Sequence, residues 1–136
     1  MTTTLTFGLS RISQIAIPVK DVPRAVAFYR DVLGMTFLFD APPQLAFFEC
    51  GGIRLMLSRP EKPEFDHPAS VIYYKVPDIR AAHDTLVNRG VRFEGEPHLI
   101  AKMPDHDLWM AFFWDVEGNM LALMSEVGRD GTESRK

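Results

Sequence analysis

The strongest constraint on this chain is an internal repeat. Residues 19–25 read VKDVPRA and return in looser form at 76–82 as VPDIRAA, an offset of 57 residues. Residues 52–57 read GIRLML and return at 118–123 as GNMLAL, an offset of 66 residues. Such self-similarity indicates two copies of one supersecondary unit, because a single copy cannot bury its own apolar face. The repeat therefore predicts a site between the copies.

Hydrophobic periodicity predicts the order β-α-β-β-β in both copies. In the first, we expect a strand at 12–19, a helix capped by Asp21 and ended by Gly34, and a strand at 35–39. After a loop at 40–43, Gly51-Gly52 joins strands 45–50 and 53–58 in a hairpin. In the second, we expect a strand at 70–76, a helix from Asp78 to Gly90, a strand at 91–94, an irregular segment at 95–107, and a hairpin of 108–114 with 119–125.

These boundaries predict one domain, residues 1–127, with modules at 11–58 and 69–126. The linker 59–68 contains three prolines, and the polar tail 128–136 is expected to be disordered. A hydrophobic content of 46% and a charged content of 24% are typical of a globular protein.

Composition also excludes some partners. The net charge is −3, and the absence of a long basic run argues against nucleic-acid binding. No apolar run has membrane-spanning length, and the N-terminus does not resemble a signal peptide. The single cysteine, Cys50, excludes an intramolecular disulfide and is expected to be a buried, inert thiol. We therefore expect a cytoplasmic protein with no membrane or nucleic-acid partner.

Two motifs carry a family resemblance. Residues 25–35 read AVAFYRDVLGM after the capping aspartate, and residues 115–119 read DVEGN before an alternating apolar strand. In this order they resemble the vicinal-oxygen-chelate superfamily of glyoxalases, bleomycin-resistance proteins and dioxygenases, over roughly residues 11–126. The resemblance implies an α+β fold in which two βαβββ modules form curled mixed sheets around a cavity. Periodicity alone also allows a ferredoxin-like sandwich, which lacks the third strand of each unit.

The resemblance also implies where a metal would bind. Metal-using relatives place ligands on the first and last strands of each unit, and the motifs carry these positions onto Gln14, Met56, Val71 and Ala122. Divalent cations prefer oxygen or imidazole ligands, and a catalytic site uses about three of them. Because only Gln14 offers such a donor, we predict no metal cofactor. A relocated site around residues 105–107, with the sequence DHD, remains an alternative.

Side-chain alternation predicts which residues line the cavity. We define the cavity face of each sheet as the side turned away from the helices. The Gly51-Gly52 turn predicts pairing of Glu49 with Arg54 and of Phe47 with Met56. The last hairpin is predicted to pair Phe113 with Met120, Ala111 with Ala122, and Trp109 with Met124.

The predicted ligand-binding residues are those of the cavity face. They are Gln14, Phe47, Glu49, Arg54, Met56, Tyr73, Trp109, Phe113, Met120 and Ala122, with Lys75 and Met124 beside them. An apolar lining with few polar groups is typical of small-molecule sites. The same aromatic and methionine side chains would also fill a collapsed core.

Several polar side chains have two interpretations. Glu49 and Arg54 form a cross-strand ion pair in one, whereas in the other Arg54 anchors a ligand carboxylate or phosphate. His106 is the candidate acid–base residue, because imidazole titrates near neutral pH, although a surface histidine would look the same in the sequence. His83 is expected to pack beneath the second helix, and His67 to lie on the linker surface.

Together these observations favour a metal-free protein that binds a small apolar or aromatic molecule between its modules. The alternative is an enzyme of the same superfamily, a lyase, isomerase or dioxygenase, with a relocated metal or acid–base chemistry on His106 or Glu49. A protein retained for partner interactions is a third possibility. The resemblance also implies a homodimer.

Overall fold

The computed structural model describes residues 7–41 and 44–128 and contains two four-stranded sheets, each with one helix. The first module comprises β1 Gln14–Pro18, α1 Val22–Ala27 continued by a π-helical segment Phe28–Val32, β2 Thr36–Ala41, β3 Leu45–Cys50 and β4 Ile53–Ser58. A short 3-10 helix, Pro63–Phe65, lies in the linker. The second module comprises β5 Ile72–Lys75, α2 Ile79–Asn88, β6 His98–Lys102, β7 His106–Trp114 and β8 Met120–Gly128.

The two sheets have the same topology. Their strand orders are β1-β4-β3-β2 and β5-β8-β7-β6. The first strand of each module pairs in parallel with the last, and the other pairs are antiparallel. The two βαβββ modules predicted from the repeat are confirmed, and three strands after each helix exclude the ferredoxin-like sandwich.

Equivalent side chains begin the two helices. Asp21 accepts a hydrogen bond from Arg24 N at 3.1 Å, and Asp78 accepts one from Ala81 N at 3.0 Å. Each carboxylate satisfies a backbone N–H that has no partner within the helix. The repeated aspartate therefore fixes the start of both helices, as predicted.

One hydrophobic core lies between the helices and the sheets. Nine aliphatic residues in or next to the first and last strands of the two modules belong to it or pack against it: Ile15, Ile17, Val19, Leu55, Leu57, Ile72, Val76, Leu121 and Leu123. His83 is buried in α2 with its ring centroid 4.4 Å from that of Phe93, as predicted. Both modules contribute to this core, so the cavity face of each sheet is the face turned away from it.

The edge of the second sheet differs from prediction. Residues 91–94 do not form the edge strand, and Phe93 makes only an isolated bridge to Phe113. The edge strand is His98–Lys102, inside the segment predicted to be irregular, and it pairs with β7 through a register shift. Pairing with a nine-residue neighbour decided this assignment, and local periodicity could not reveal it.

The register of the last hairpin also differs by one residue. Trp114 pairs with Met120, Phe113 with Leu121 and Ala111 with Leu123, so the predicted pairs are wrong. The cause is the turn: Asp115 N donates to Asn119 O at 2.9 Å, which makes the loop five residues long and not four. A shift of one residue turns every side chain of β7 to the opposite face.

The same turn joins the second module to the first. The Glu117 carboxylate accepts hydrogen bonds from Lys20 N at 2.9 Å and Asp21 N at 3.0 Å. The Tyr29 hydroxyl donates to Asp115 Oδ2 at 2.7 Å. The loop that was recognised as a family motif is therefore also a contact between modules.

Two predictions fall on residues that the structure leaves undescribed. Pro42 and Pro43 of the predicted loop lie outside the described residues, as does the predicted tail from 129 onward. Gly128, assigned to that tail, is the last residue of β8. The strand therefore runs three residues beyond its predicted end at Ser125.

Candidate ligand-binding site

A cavity of about 500 Å³ opens on the cavity face of the first sheet. The strands contribute Ala16, Pro18, Leu45, Met56 and Ser58. Gln44 and the linker residues Arg59, Pro60, Glu61, Lys62 and His67 line the rest. The interior is thus mainly apolar, and the charged side chains come from the linker.

Alternation along β1 and β4 explains this cavity. Ile15 and Ile17 point into the core, so Ala16 and Pro18 point to the opposite side. Ala16 pairs with Met56, and its short side chain leaves space beside the longer thioether. Gln14 Nε2 lies 3.7 Å from Met56 Sδ, which places the predicted residues Gln14 and Met56 together.

The other predicted residues of the first sheet form a neighbouring stack. Glu49 pairs with Arg54 and Phe47 with Met56, as predicted. The Arg54 guanidinium lies over the Phe47 ring, 5.6 Å from its centroid. Glu49 instead accepts a hydrogen bond from Gly52 N at 2.6 Å, and no Glu49–Arg54 ion pair forms within the described residues. The first interpretation of these two charges is therefore wrong.

The second sheet carries a different cavity face from the one predicted. Tyr73 and Ala122 lie opposite each other, and Phe112 pairs with Ala122 from the other side. The rings of Tyr73 and Phe112 meet edge to face at 5.9 Å, and Ala122 is fully buried. Met120 shares this face and pairs with Trp114, whose ring lies 4.6 Å from the Arg92 guanidinium.

Trp109 and Phe113 point the other way. Phe113 belongs to the core, and Trp109 packs against it. Met110, Phe112 and Trp114 take their places on the cavity face because of the register shift. The sequence contains a signal for this register. Asp115 and Asn119 are the first and last residues of the turn, and pairing the residues that flank them, Trp114 and Met120, gives the observed register.

The corrected register also places His106 on the cavity face of the second sheet. His106 is buried, with Nδ1 2.7 Å from Asp105 Oδ1 and Nε2 3.6 Å from Glu126 Oε2. The other Glu126 oxygen lies 3.2 Å from Lys75 Nζ. An imidazole thus lies between two carboxylates, one of them paired with a lysine, in a polar chain in which Asp105 is hydrogen-bonded to His106 and Glu126 is not.

The remaining histidines lie elsewhere. His67 is exposed on the linker, as predicted, and lines the cavity of about 500 Å³. His98 begins β6, where its ring centroid lies 6.5 Å from that of Phe112. Neither contacts the Asp105–His106–Glu126 chain through a described hydrogen bond.

The residues at the implied metal positions do not fit a divalent cation. Gln14 and Met56 contact each other, Val71 has an aliphatic side chain, and Ala122 is a buried methyl group. Among residues 7–41 and 44–128, no group of three His, Cys, Asp or Glu side chains is arranged to hold a metal. The donor set supports no metal chemistry at this position.

Comparison with known proteins agrees with the fold. The model of the Glyoxalase/Bleomycin resistance protein/Dioxygenase superfamily matches residues 11–123. The chain belongs to this superfamily. It is 27% identical over 129 residues to the protein YraH of Bacillus subtilis (strain 168), covering 83% of this chain and 96% of YraH.

Two solved structures of the superfamily fold are similar. Lactoylglutathione lyase from Agrobacterium tumefaciens superposes with a TM-score of 0.69 at 22% identity, covering 86% of this chain and 94% of the lyase. TnmS3, an antibiotic binding protein from Streptomyces sp. CB03234, superposes with a TM-score of 0.68 at 25% identity, covering 87% and 97%. The fold thus occurs in both an enzyme and a binding protein.

The helices in the described part of the chain are short. None of them is both long enough and apolar enough to cross a bilayer.

Proposed function

We propose that this protein binds a small apolar or aromatic molecule without a metal, on the cavity face of its first sheet. One observation carries the proposal. Met56, at a position where metal-using relatives place a ligand, lines an apolar cavity of about 500 Å³. A thioether is a poor ligand for a hard cation but an adaptable surface for an apolar molecule.

The size and lining of the cavity support this function. Its volume falls within the range of small-molecule sites, roughly 300–1,000 Å³. Arg59 and Lys62 outnumber the single carboxylate, Glu61, at the linker edge beside an apolar floor, which suits an aromatic molecule with one anionic group. The likeness to TnmS3, an antibiotic binding protein, is consistent with a small-molecule ligand.

The test uses 1-anilinonaphthalene-8-sulfonate, an aromatic sulfonate that fluoresces in apolar surroundings. We expect saturable binding of one molecule per chain to the native protein, measured by fluorescence and calorimetry. Ala16→Trp fills the cavity floor and should weaken binding at least tenfold. Ala27→Trp, at an exposed position of α1, is the matched control and should bind as the parent does.

Two results would overturn the proposal. The first is absence of saturable binding to the folded protein, and the second is equal affinity in the Ala16→Trp and Ala27→Trp variants. Arg54→Ala tests the anchor hypothesis in the same assay. Unchanged affinity for the sulfonate would exclude Arg54 as its anchor.

The metal-free part of the proposal needs a separate measurement. Elemental analysis of protein purified without chelators should find less than stoichiometric divalent metal, because Val71 and Ala122 offer no donor atom. One tightly bound ion per chain would contradict this expectation. Binding of the sulfonate to chelator-treated protein should be unchanged.

An acid–base enzyme is the second candidate, and the His106 cluster favours it. Histidine accepts and donates protons near neutral pH, and Asp105 orients its ring through Nδ1. Glu126 Oε2 lies 3.6 Å from Nε2, which is longer than a hydrogen bond. Such a chain would support isomerisation or elimination next to a carbonyl group.

Turnover of lactoylglutathione by the metal-free protein tests this candidate, in line with the lyase of the same fold. Activity lost in His106→Gln and retained in His98→Gln would establish the enzyme. Absence of turnover together with stoichiometric ligand binding would favour the binding protein.

A homodimer and a cytoplasmic location complete the proposal. Large apolar side chains are exposed on the second strand of the first sheet and on both edges of the second: Leu38, Phe39, Val71, Tyr73, Leu99 and Ile100. Burying them against a second chain would remove apolar surface from water. Sedimentation should give a dimer at micromolar concentration, and a monomer would contradict this. The single cysteine is consistent with a reducing compartment.

A further inference from the structure

A second cavity adjoins the cavity of about 500 Å³, which is called the first cavity from here on. The second cavity has a volume of about 730 Å³ and lies beside the start of α1, the end of β2 and the start of β3. Gln44, Leu45 and Arg59 line both cavities. The two cavities therefore share a wall, and a single elongated molecule can extend from one into the other.

Backbone hydrogen bonds hold the walls of the second cavity. Arg59 N donates to Gln44 O at 3.3 Å, which joins the end of β4 to the start of β3 at the shared wall. Lys20 N and Asp21 N donate to the Glu117 carboxylate, which ties the start of α1 to the last turn of the second module. Walls fixed by backbone contacts reduce the ordering cost that a ligand would otherwise have to offset.

The two cavities differ in chemistry. The first has an apolar floor that includes Ala16, Leu45 and Met56. The second has five polar or charged side chains among its nine lining residues: Lys20, Asp21, Asp40, Gln44 and Arg59. The pair therefore suits a ligand with one apolar part and one polar part.

The charges of the second cavity balance. The cations Lys20 and Arg59 are offset by the carboxylates Asp21 and Asp40. A ligand group with a net charge of either sign would meet a like charge as well as an opposite one. A neutral group with several hydroxyls fits better, because a hydroxyl donates to a carboxylate and accepts from a lysine or an arginine.

The hydrogen-bonding groups that such a ligand needs are available. The side chains of Lys20, Gln44 and Arg59 form no hydrogen bond or ion pair within the described residues, and all three are exposed. A ligand that bonds to them replaces water and breaks no contact of the fold.

We propose that the two cavities form one binding cleft, whose ligand is an aromatic molecule that carries a neutral, hydroxyl-rich group such as a sugar. The inference rests on the proposed function, because the aromatic part occupies the first cavity. The hydroxyl-rich part passes the shared wall at Gln44 and Arg59 and occupies the second.

The test compares two neutral coumarins that differ only at one oxygen. In 7-methoxy-4-methylcoumarin this oxygen carries a methyl group, and in 4-methylumbelliferyl β-D-cellobioside it carries a disaccharide. The parent protein should bind the cellobioside about tenfold more tightly, which is the gain expected from one or two net hydrogen bonds. Free cellobiose should bind about a hundredfold more weakly than the cellobioside, because it lacks the linked aromatic part.

A double variant locates the polar part. Lys20→Ala/Asp40→Ala removes one charge of each sign from the second cavity and should lower the affinity for the cellobioside about tenfold. Its affinity for the methyl ether should be unchanged, which also shows that the variant is folded. Arg11→Ala/Glu94→Ala is the matched control, because both residues are exposed and line neither cavity, and it should bind both coumarins as the parent does. Ala16→Trp, in the first cavity, should weaken binding of both coumarins.

The outcomes separate this inference from the proposed function. Failure of both the sulfonate and the methyl ether to bind the parent protein would overturn the proposed function and this inference with it. Normal binding of the ether with no gain from the disaccharide, or equal cellobioside affinity in the double variant and its control, would overturn this inference alone. Free cellobiose that bound as tightly as the cellobioside would also overturn it, because the two cavities would then bind separately.

Discussion

Replacing Tyr29 with phenylalanine removes a single hydroxyl that joins the two modules. Tyr29 is fully buried, and its hydroxyl donates to Asp115 Oδ2 at 2.7 Å. A buried hydrogen bond to a charged acceptor contributes about 1.5–3 kcal/mol to stability. The Asp115 carboxylate still accepts from Glu117 N and from Asn119 N and Nδ2 after the substitution, so it is not left unpaired. We therefore expect a loss of about 2 kcal/mol in the free energy of unfolding.

Alkaline pH supplies a second, independent readout. Burial, followed by the charge of Asp115, raises the pKa of Tyr29 far above its ordinary value. In the unfolded chain a tyrosine ionises near pH 10, so above that pH the folded state binds more protons and stability falls by about 1.4 kcal/mol per pH unit for each such residue. Tyr29 and Tyr74 both behave in this way. The phenylalanine variant should therefore lose stability less steeply than the parent between pH 10 and pH 11.

Urea unfolding followed by circular dichroism at pH 7, 10 and 11 measures both effects. Tyr73→Phe is the matched control, because Tyr73 is 45% exposed and its hydroxyl makes no described hydrogen bond. The control should change stability by less than about 0.5 kcal/mol. If Tyr29→Phe matched the control at pH 7 and kept the full alkaline slope, Tyr29 would not join the modules.

Three further predictions concern the turn, the helix start and the thiol. Gly52→Ala should lower the free energy of unfolding by about 1 kcal/mol, because Gly52 has a φ of 88°, whereas Gly8→Ala should not change it. Asp78→Ala should cost about 1 kcal/mol through loss of the hydrogen bond to Ala81 N, and Asp78→Asn should retain most of that stability; equal losses would refute a capping role. Burial, followed by the charge of Glu49, raises the pKa of the Cys50 thiol, so its alkylation rate should reach half-maximum at a higher pH than that of a free cysteine, and Glu49→Gln should lower that pH.

The sequence was most informative where local chemistry repeats. The aspartate before each helix, the glycine after it and the two-glycine hairpin each specify their own backbone geometry. The βαβββ order of both modules and the register of the first hairpin were therefore predicted correctly. The residues on the cavity face of the first sheet could then be assigned, because the register of that hairpin decides which side chains of β3 and β4 share a face. Met56 lies on this face and lines the cavity of about 500 Å³, and its role in ligand binding stays a prediction.

The second sheet was less predictable because its geometry depends on a turn and on a partner strand. A hydrogen bond from Asp115 N to Asn119 O lengthens the loop by one residue, and this moved Trp109 and Phe113 into or against the core. Strand β6 forms only because β7 is long enough to pair with it. Neither the longer turn nor the pairing of β6 with β7 can be read from the hydrophobic periodicity of the segment concerned.

Taken alone, the sequence determined the duplicated βαβββ plan and the absence of metal donors at three of its four implied positions, because capping, side-chain alternation and donor chemistry are properties of single residues and short segments. The tertiary structure decided which aromatic residues lie on the cavity face, that His106 Nε2 lies 3.6 Å from Glu126 Oε2, and that the Tyr74 hydroxyl is buried with no hydrogen-bond partner among the described residues. These features require strand register and packing between modules. They arise from contacts between residues that are distant in the chain, and no local pattern encodes them.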